Sequence, residues 1–176
     1  MKNRSVLLLL FSLLCLTSCQ KYAKKYMDKG DAKLHFGDYK GAIEAYNMAI
    51  TICPKYIAVY NNRGVAKAGL HNFQEAILDY NKALELKPDY DPAYYNRAFS
   101  EASLNMFDKA IKDYNKAITI NPTNASAYDC RGEVKYQQHN YKDAIADCSM
   151  SISIDSNRAI AYIYIGVRLS MHFWTT

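Results

Sequence analysis

A repeated pair of opposite charges is the most regular chemical feature of this 176-residue sequence. Arginine stands 16 residues before aspartate in three pairs, which are Arg63 with Asp79, Arg97 with Asp113, and Arg131 with Asp147. The position 34 residues before Arg63 holds Lys29, and its partner position holds Ala45, so both members change together. Because a guanidinium fork matches a carboxylate through two parallel hydrogen bonds, the pattern predicts structural salt bridges between helices. The alternative is an arginine-lined anion site.

No other residues have the spacing of a catalytic, cofactor or metal centre. The histidines are His35, His71, His139 and His172, and no Cys, Asp or Glu recurs near them with ligand spacing. The sequence has no glycine-rich phosphate loop and no serine elbow, and we expect Asp129 and Glu133 to be a solvated pair. We therefore expect neither cofactor nor metal, and a protein that is not an enzyme.

The internal cysteines allow two interpretations. Cys130 and Cys148 are expected in the two helices of one structural unit, either as buried thiols or as a disulfide formed in an oxidising compartment. Cys53 precedes Pro54 in a turn.

The elements that position these residues repeat every 34 residues. Aromatic, small and proline positions recur at that spacing, for example Tyr60, Tyr94 and Tyr128, then Ala76, Ala110 and Ala144, then Pro54, Pro88 and Pro122. A fixed period of this length predicts stacked units, each too small to bury its own apolar face.

The pattern of aromatic, small residue, alanine, aromatic, alanine and closing proline resembles the tetratricopeptide repeat. The resemblance implies an all-α right-handed superhelix of antiparallel helix pairs, with four full repeats and a terminal helix. The repeats are residues 23–56, 57–90, 91–124 and 125–158, followed by a partial fifth repeat over 159–176. We expect first helices near 22–36, 57–70, 91–104 and 125–138, and second helices near 39–52, 73–86, 107–120 and 141–154. Asp38, Asn72, Asp91 and Asn140 are expected N-caps, with Glu75 completing a capping box.

The N-terminus reads MKNRSVLLLLFSLLCLTSC, with two basic residues before an apolar run that is short for a membrane span. Leu16 to Cys19 resembles the lipobox of bacterial lipoproteins. The resemblance implies a signal peptide over 1–18, a lipid on Cys19 and a linker over 19–22, with two or three acyl chains for firm anchoring. An ordinary secretory signal is the alternative. Gln20 is not the aspartate that retains some lipoproteins in the inner membrane, so we expect the outer membrane.

In tetratricopeptide arrays the first helices line a concave groove that binds partner segments. By this resemblance the protein-binding residues are Asn61, Val65, Tyr95, Phe99, Asp129, Glu133 and Tyr136. The carboxylate clamp of chaperone-binding members requires lysine and asparagine in these columns, and their absence argues against an acidic C-terminal tail as the ligand. The alternative for Tyr95 and Phe99 is packing against neighbouring helices.

The end of the chain is apolar, and it is expected to be a cap, a homodimer interface or an altered reading frame. The formal charge of +5 falls to +3 without Lys2 and Arg4, which is too mild to indicate nucleic acid. The sequence therefore predicts a lipid-anchored scaffold in a bacterial envelope that binds a peptide or helix of a protein partner. The alternative is an accessory subunit of an envelope enzyme acting on cell wall or protein export.

Overall fold

The chain folds into α-helices joined by short turns. The computed structural model describes the backbone of residues 2–156 and the side chains of residues 19–156. Over that range the helices are α1 Lys2–His35, α2 Tyr39–Ile52, α3 Ile57–Gly69, α4 Phe73–Leu86, α5 Asp91–Ser103, α6 Phe107–Ile120, α7 Ala125–Gln137 and α8 Tyr141–Ile154. The prediction of an all-α protein built from antiparallel helix pairs is confirmed. The predicted terminal helix over 159–176 lies outside the described residues.

The helices pair in chain order, α1 with α2, α3 with α4, α5 with α6 and α7 with α8. Two compact units result, Met1–Pro88 with the first two pairs and Asp89–Thr176 with the last two. Within each unit the second helix of one pair also packs on the first helix of the next, α2 on α3 and α6 on α7. A pair therefore buries one face internally and another against its neighbour.

The first helix is longer than predicted. It begins at Lys2 instead of near residue 22, so the apolar N-terminal segment is continuous with the first helix of the first repeat. No Gly or Pro occurs before Gly30, so nothing local interrupts the helix. The second helices have the predicted bounds, and the first helices end one residue early. Where side chains are described, residues 19–156, no helix has the length and hydropathy to cross a membrane.

Helix starts follow the predicted caps only in part. Asp38 accepts a hydrogen bond from the backbone N–H of the third residue of α2, and Asn140 caps α8 in the same way. Asn72 makes no capping bond, so the capping box with Glu75 is wrong. Asp91 is the first residue of α5 rather than its cap.

Close approach between paired helices requires a small residue opposite a tyrosine ring. A Cβ added at Gly64 in α3 would lie 2.5 Å from Cε1 of Tyr80 in α4, which is closer than atoms can pack. Gly30 lies against Tyr46 of α2 in the same way. Both rings are fully buried. A larger residue at Gly64 would displace the Tyr80 ring, which offsets the cost of about 1 kcal/mol that glycine has in a helix.

The turn inside each pair needs a left-handed backbone. Gly37, His71, Asn105 and His139 occupy it, with φ between 59° and 75°. The three that are not glycine are Asn or His, which adopt this region more readily than most residues. The two histidines therefore have a conformational role in their turns.

We expect His71→Val to lower the free energy of unfolding by about 1–2 kcal/mol, because a β-branched residue is strained at positive φ. His71→Asn should change it by less than about 0.5 kcal/mol, since Asn105 fills the equivalent turn. Urea titration followed by circular dichroism measures both. Equal stability of the two variants would contradict the assignment.

Candidate functional site

The three predicted arginine–aspartate pairs each join the two helices of one pair. Nε and Nη2 of Arg63 donate to Oδ2 and Oδ1 of Asp79 at 2.9 and 2.6 Å. Arg97 makes the same fork to Asp113 at 2.5 and 2.9 Å, and Arg131 to Asp147 at 2.8 and 2.5 Å. The aspartates are buried and the arginines only partly exposed.

The guanidinium groups also make contacts that the sequence analysis did not predict. Each arginine lies over the ring of the tyrosine three residues earlier, at 5.4–5.6 Å from the ring centroid. Nη1 of Arg63 donates to Oδ1 of Asn47 in α2 at 2.7 Å, and Nη1 of Arg131 donates to Asn115 in α6 at 2.5 Å. The guanidinium groups are thus engaged within the fold, which favours the structural role over an anion site.

The predicted groove residues differ in how much surface they present. In unit 1, Asn61 is only 5% exposed and donates to Asn62, while Val65 is half-buried. Burial leaves Asn61 little surface for a partner. A residue at a predicted groove position is therefore not always exposed, because the packing around α3 determines how much of its side chain reaches solvent.

In unit 2 the aromatic residues separate into two kinds. Tyr95 is half-buried, with its ring centroid 6.0 Å from that of Tyr114 and its hydroxyl 3.6 Å from Sγ of Cys130. Phe99, one turn further along α5, is 48% exposed. Packing against neighbouring helices thus applies to Tyr95, whereas Phe99 presents a large apolar surface to solvent.

The acidic residues of the predicted groove lie on the neighbouring first helix. Asp129 and Glu133 are half-buried on α7, one period after Tyr95 and Phe99, and Glu133 accepts from Gln137 at 3.3 Å. Tyr136 packs with its ring centroid 5.0 Å from that of Tyr141 in α8. Since Tyr95 contacts α7 at Cys130, the two first helices are neighbours.

The expectation of free thiols at Cys130 and Cys148 is confirmed, whereas the bond of Cys19 was not predicted. Cys130 and Cys148 are half-buried thiols that are not joined to each other. Cys19 in α1 is instead bonded to Cys53, which follows α2, with their Cα atoms 5.2 Å apart. The two residues are separated by 34 positions and so occupy one repeat column, a relation that the sequence contained and that the prediction missed. In the described residues 19–156 no cluster of three or more Cys, His, Asp or Glu could hold a metal ion.

We expect Arg97→Ala to lower the free energy of unfolding by about 2–4 kcal/mol. The value lies somewhat below that of a fully buried pair because the Arg97 side chain is 21% exposed. Arg63→Ala should cost less, because Lys67 Nζ also contacts Asp79 at 2.9 Å and remains to compensate it. Urea titration measures the difference. Unchanged stability with loss of an acidic ligand would support the anion site.

Comparison with known proteins agrees with this architecture. Two models of the tetratricopeptide repeat match residues 57–90 with 92–124, and 30–70, which together cover more than half of the chain. No curated protein sequence matches it.

Solved structures of tetratricopeptide-repeat proteins are similar to it. A crystal structure of MamA protein is 28% identical over 82% of this chain and 79% of that chain, with a TM-score of 0.73. The first TPR of Spaghetti (RPAP3), bound to the HSP90 peptide SRMEEVD, is 26% identical over 68% and 95%, with a TM-score of 0.66. The Arabidopsis OM64 TPR domain, 24% identical over 68% and 98% with a TM-score of 0.66, shares the fold. The chain belongs to the tetratricopeptide-repeat family.

Proposed function

We propose that this protein is a non-catalytic scaffold that binds a segment of a protein partner on the first helices of unit 2. The observation that carries the proposal is the exposed ring of Phe99 on α5, together with the carboxylates of Asp129 and Glu133 on α7, the first helix of the next pair in the same unit. Tetratricopeptide repeats mediate protein–protein interactions, and a similar structure contains a bound peptide. Exposed aromatic residues are frequent energetic anchors in such interfaces.

The chemistry of the surface suggests the chemistry of the partner. An exposed phenyl ring accepts an apolar side chain, and two carboxylates one turn apart favour a lysine or arginine nearby. The peptide in the similar structure, SRMEEVD, is acidic at its C-terminal end. The carboxylates on α7 would repel such an end, so we propose a segment with basic and apolar residues.

The scaffold is proposed to be attached to the bacterial envelope through a lipid on Cys19, with the outer membrane as its destination. The support is the lipobox-like sequence Leu16 to Cys19 after the apolar segment. A cysteine sulfur that carries a diacylglyceryl thioether cannot also form a disulfide. The proposal therefore implies that Cys53 is a thiol in the lipidated protein, in contrast to its bond with Cys19 in the structure.

We expect Phe99→Ala to weaken partner binding at least tenfold while changing stability little, because the ring is about half exposed. A photoreactive residue at position 99, followed by mass spectrometry of the crosslinked product, identifies the partner, and calorimetry with the identified segment measures the affinity. Leu78→Ala is the matched control, since Leu78 is 65% exposed on the second helix α4.

Equal binding by the Phe99 and Leu78 variants would contradict the surface on unit 2. Stoichiometric recovery of an enzyme acting on cell wall or exported protein would support the role of an accessory subunit. Recovery of structural or secretion components would support the scaffold.

Cys19→Ser should release the protein from the membrane fraction, and Cys53→Ser should not, because only Cys19 has the lipobox context. Fractionation, intact mass and maleimide labelling of Cys53 measure the outcome. Membrane association of the Cys19→Ser variant, or a wild-type protein whose mass corresponds to an unmodified disulfide, would contradict lipid attachment.

A further inference from the structure

Two of the buried aspartates are held by a second cation besides arginine. Lys67 Nζ lies 2.9 Å from Oδ2 of Asp79, and Lys135 Nζ lies 2.8 Å from Oδ2 of Asp147. Each lysine stands four residues after the arginine of its own pair, on the same helix face. Two positive groups thus converge on one buried carboxylate in the second and fourth repeats.

The third repeat has the opposite charge at this position. Glu101 occupies the column of Lys67 and Lys135, and Lys109 occupies the column of Glu75 and Asp143, so the signs of these two charges are reversed in the third repeat. Nε and Nη2 of Arg97 are both bonded to Asp113. The third repeat therefore has a second carboxylate near its buried aspartate, where the second and fourth repeats have a lysine.

Glu101 is buried in a way that an ionised carboxylate tolerates poorly. The residue is 7% exposed, and its Oε2 is buried with no hydrogen-bond partner. Ionisation of a carboxyl group with an oxygen buried in this way is disfavoured relative to the neutral acid, because the charge loses hydration that no hydrogen bond to that oxygen replaces.

The charged neighbours do not offset this cost. From α6, Asp113 and Tyr114 interact unfavourably with a charge on Glu101, while Lys109 and, from its own helix, Arg97 interact favourably. The helix α7 contacts α5 through Cys130, which is near the Tyr95 hydroxyl. Burial, and then the Asp113 carboxylate, raise the pKa of Glu101 to about 7.

We propose that Glu101 is a proton-binding site within the third repeat, and that it makes the stability of unit 2 sensitive to pH near neutrality. The folded repeat holds the carboxyl neutral, whereas the unfolded chain ionises it at the ordinary pKa of 4.5. The folded state therefore binds more protons at Glu101 between these values, so the contribution of Glu101 to stability is fully present below pH 4.5 and is lost as the pH rises towards 7. Above about pH 7 the full cost of the buried charge remains.

The test compares the full-length chain in detergent with Glu101→Gln and Glu101→Lys by thermal unfolding from pH 5 to pH 8.5. Glutamine has the same size as glutamate and stays neutral. The unfolding temperature of Glu101→Gln should therefore not show the decrease towards high pH that wild type shows. Lysine places a second cation near Asp113, as Lys67 does near Asp79, and this variant should be more stable than wild type at pH 8. The folding equilibrium constants of wild type and Glu101→Gln should diverge by a factor on the order of 100 across this range.

Contributions from groups that all three variants share cancel in this comparison. Carbon-13 NMR of the Glu101 carboxyl provides a second readout that does not depend on the variants. A midpoint near pH 7 supports the proposal. Parallel pH dependence in wild type and Glu101→Gln, or a carboxyl midpoint near 4.5, would overturn it.

Discussion

The contact of a tyrosine ring with a small residue across each helix pair is the constraint on which the first three repeats depend. Tyr80 is completely buried against Gly64, and Tyr46 against Gly30, so only a small residue fits opposite each ring. The third repeat has Ala98 in this column, and its Tyr114 is buried as well. Burying a tyrosine removes roughly 150–250 Å² from water, which is worth several kcal/mol at about 25 cal/mol per Å². That gain exceeds the cost of about 1 kcal/mol for glycine in a helix, so the sequence keeps the glycine.

The fourth helix pair lacks the tyrosine ring at this contact. Gly132 is retained, but Cys148 stands where the other repeats have tyrosine. A Cβ at Gly132 would meet Sγ of Cys148 at 3.4 Å and the carbonyl oxygen of Ala144 at 3.2 Å, so the helices still approach closely. Backbone packing and the fork between Arg131 and Asp147 hold this pair together, with a smaller apolar contribution.

Charge is distributed in the interior so that each pair is fastened by polar contacts as well as apolar ones. A buried ion pair gains little over an apolar contact of the same size, but it penalises any arrangement that leaves one partner alone. The arginine–aspartate pairs therefore favour the correct pairing of first and second helices, whereas the apolar contacts between the helices supply most of the stabilising free energy. Glu101 is an exception to this arrangement, and it lies on the same helix as Phe99. The surface available for binding lies outside this interior, so its residues can vary without affecting the fold.

The repeat spacing by itself determined the helix pairs, the bounds of the second helices and the arginine–aspartate partners. Such predictions succeed because a repeated column compares one structural position several times, and a helix is governed by contacts three and four residues apart. Only the tertiary structure decided that Asn61 is buried, that Tyr95 packs while Phe99 is exposed, and that Lys67 joins the ion pair of Asp79. It also placed Cys19 against Cys53 and left Asn72 without its capping bond. The physical reason is that exposure and side-chain partners depend on how neighbouring helices pack, which the spacing of residues along one helix does not specify.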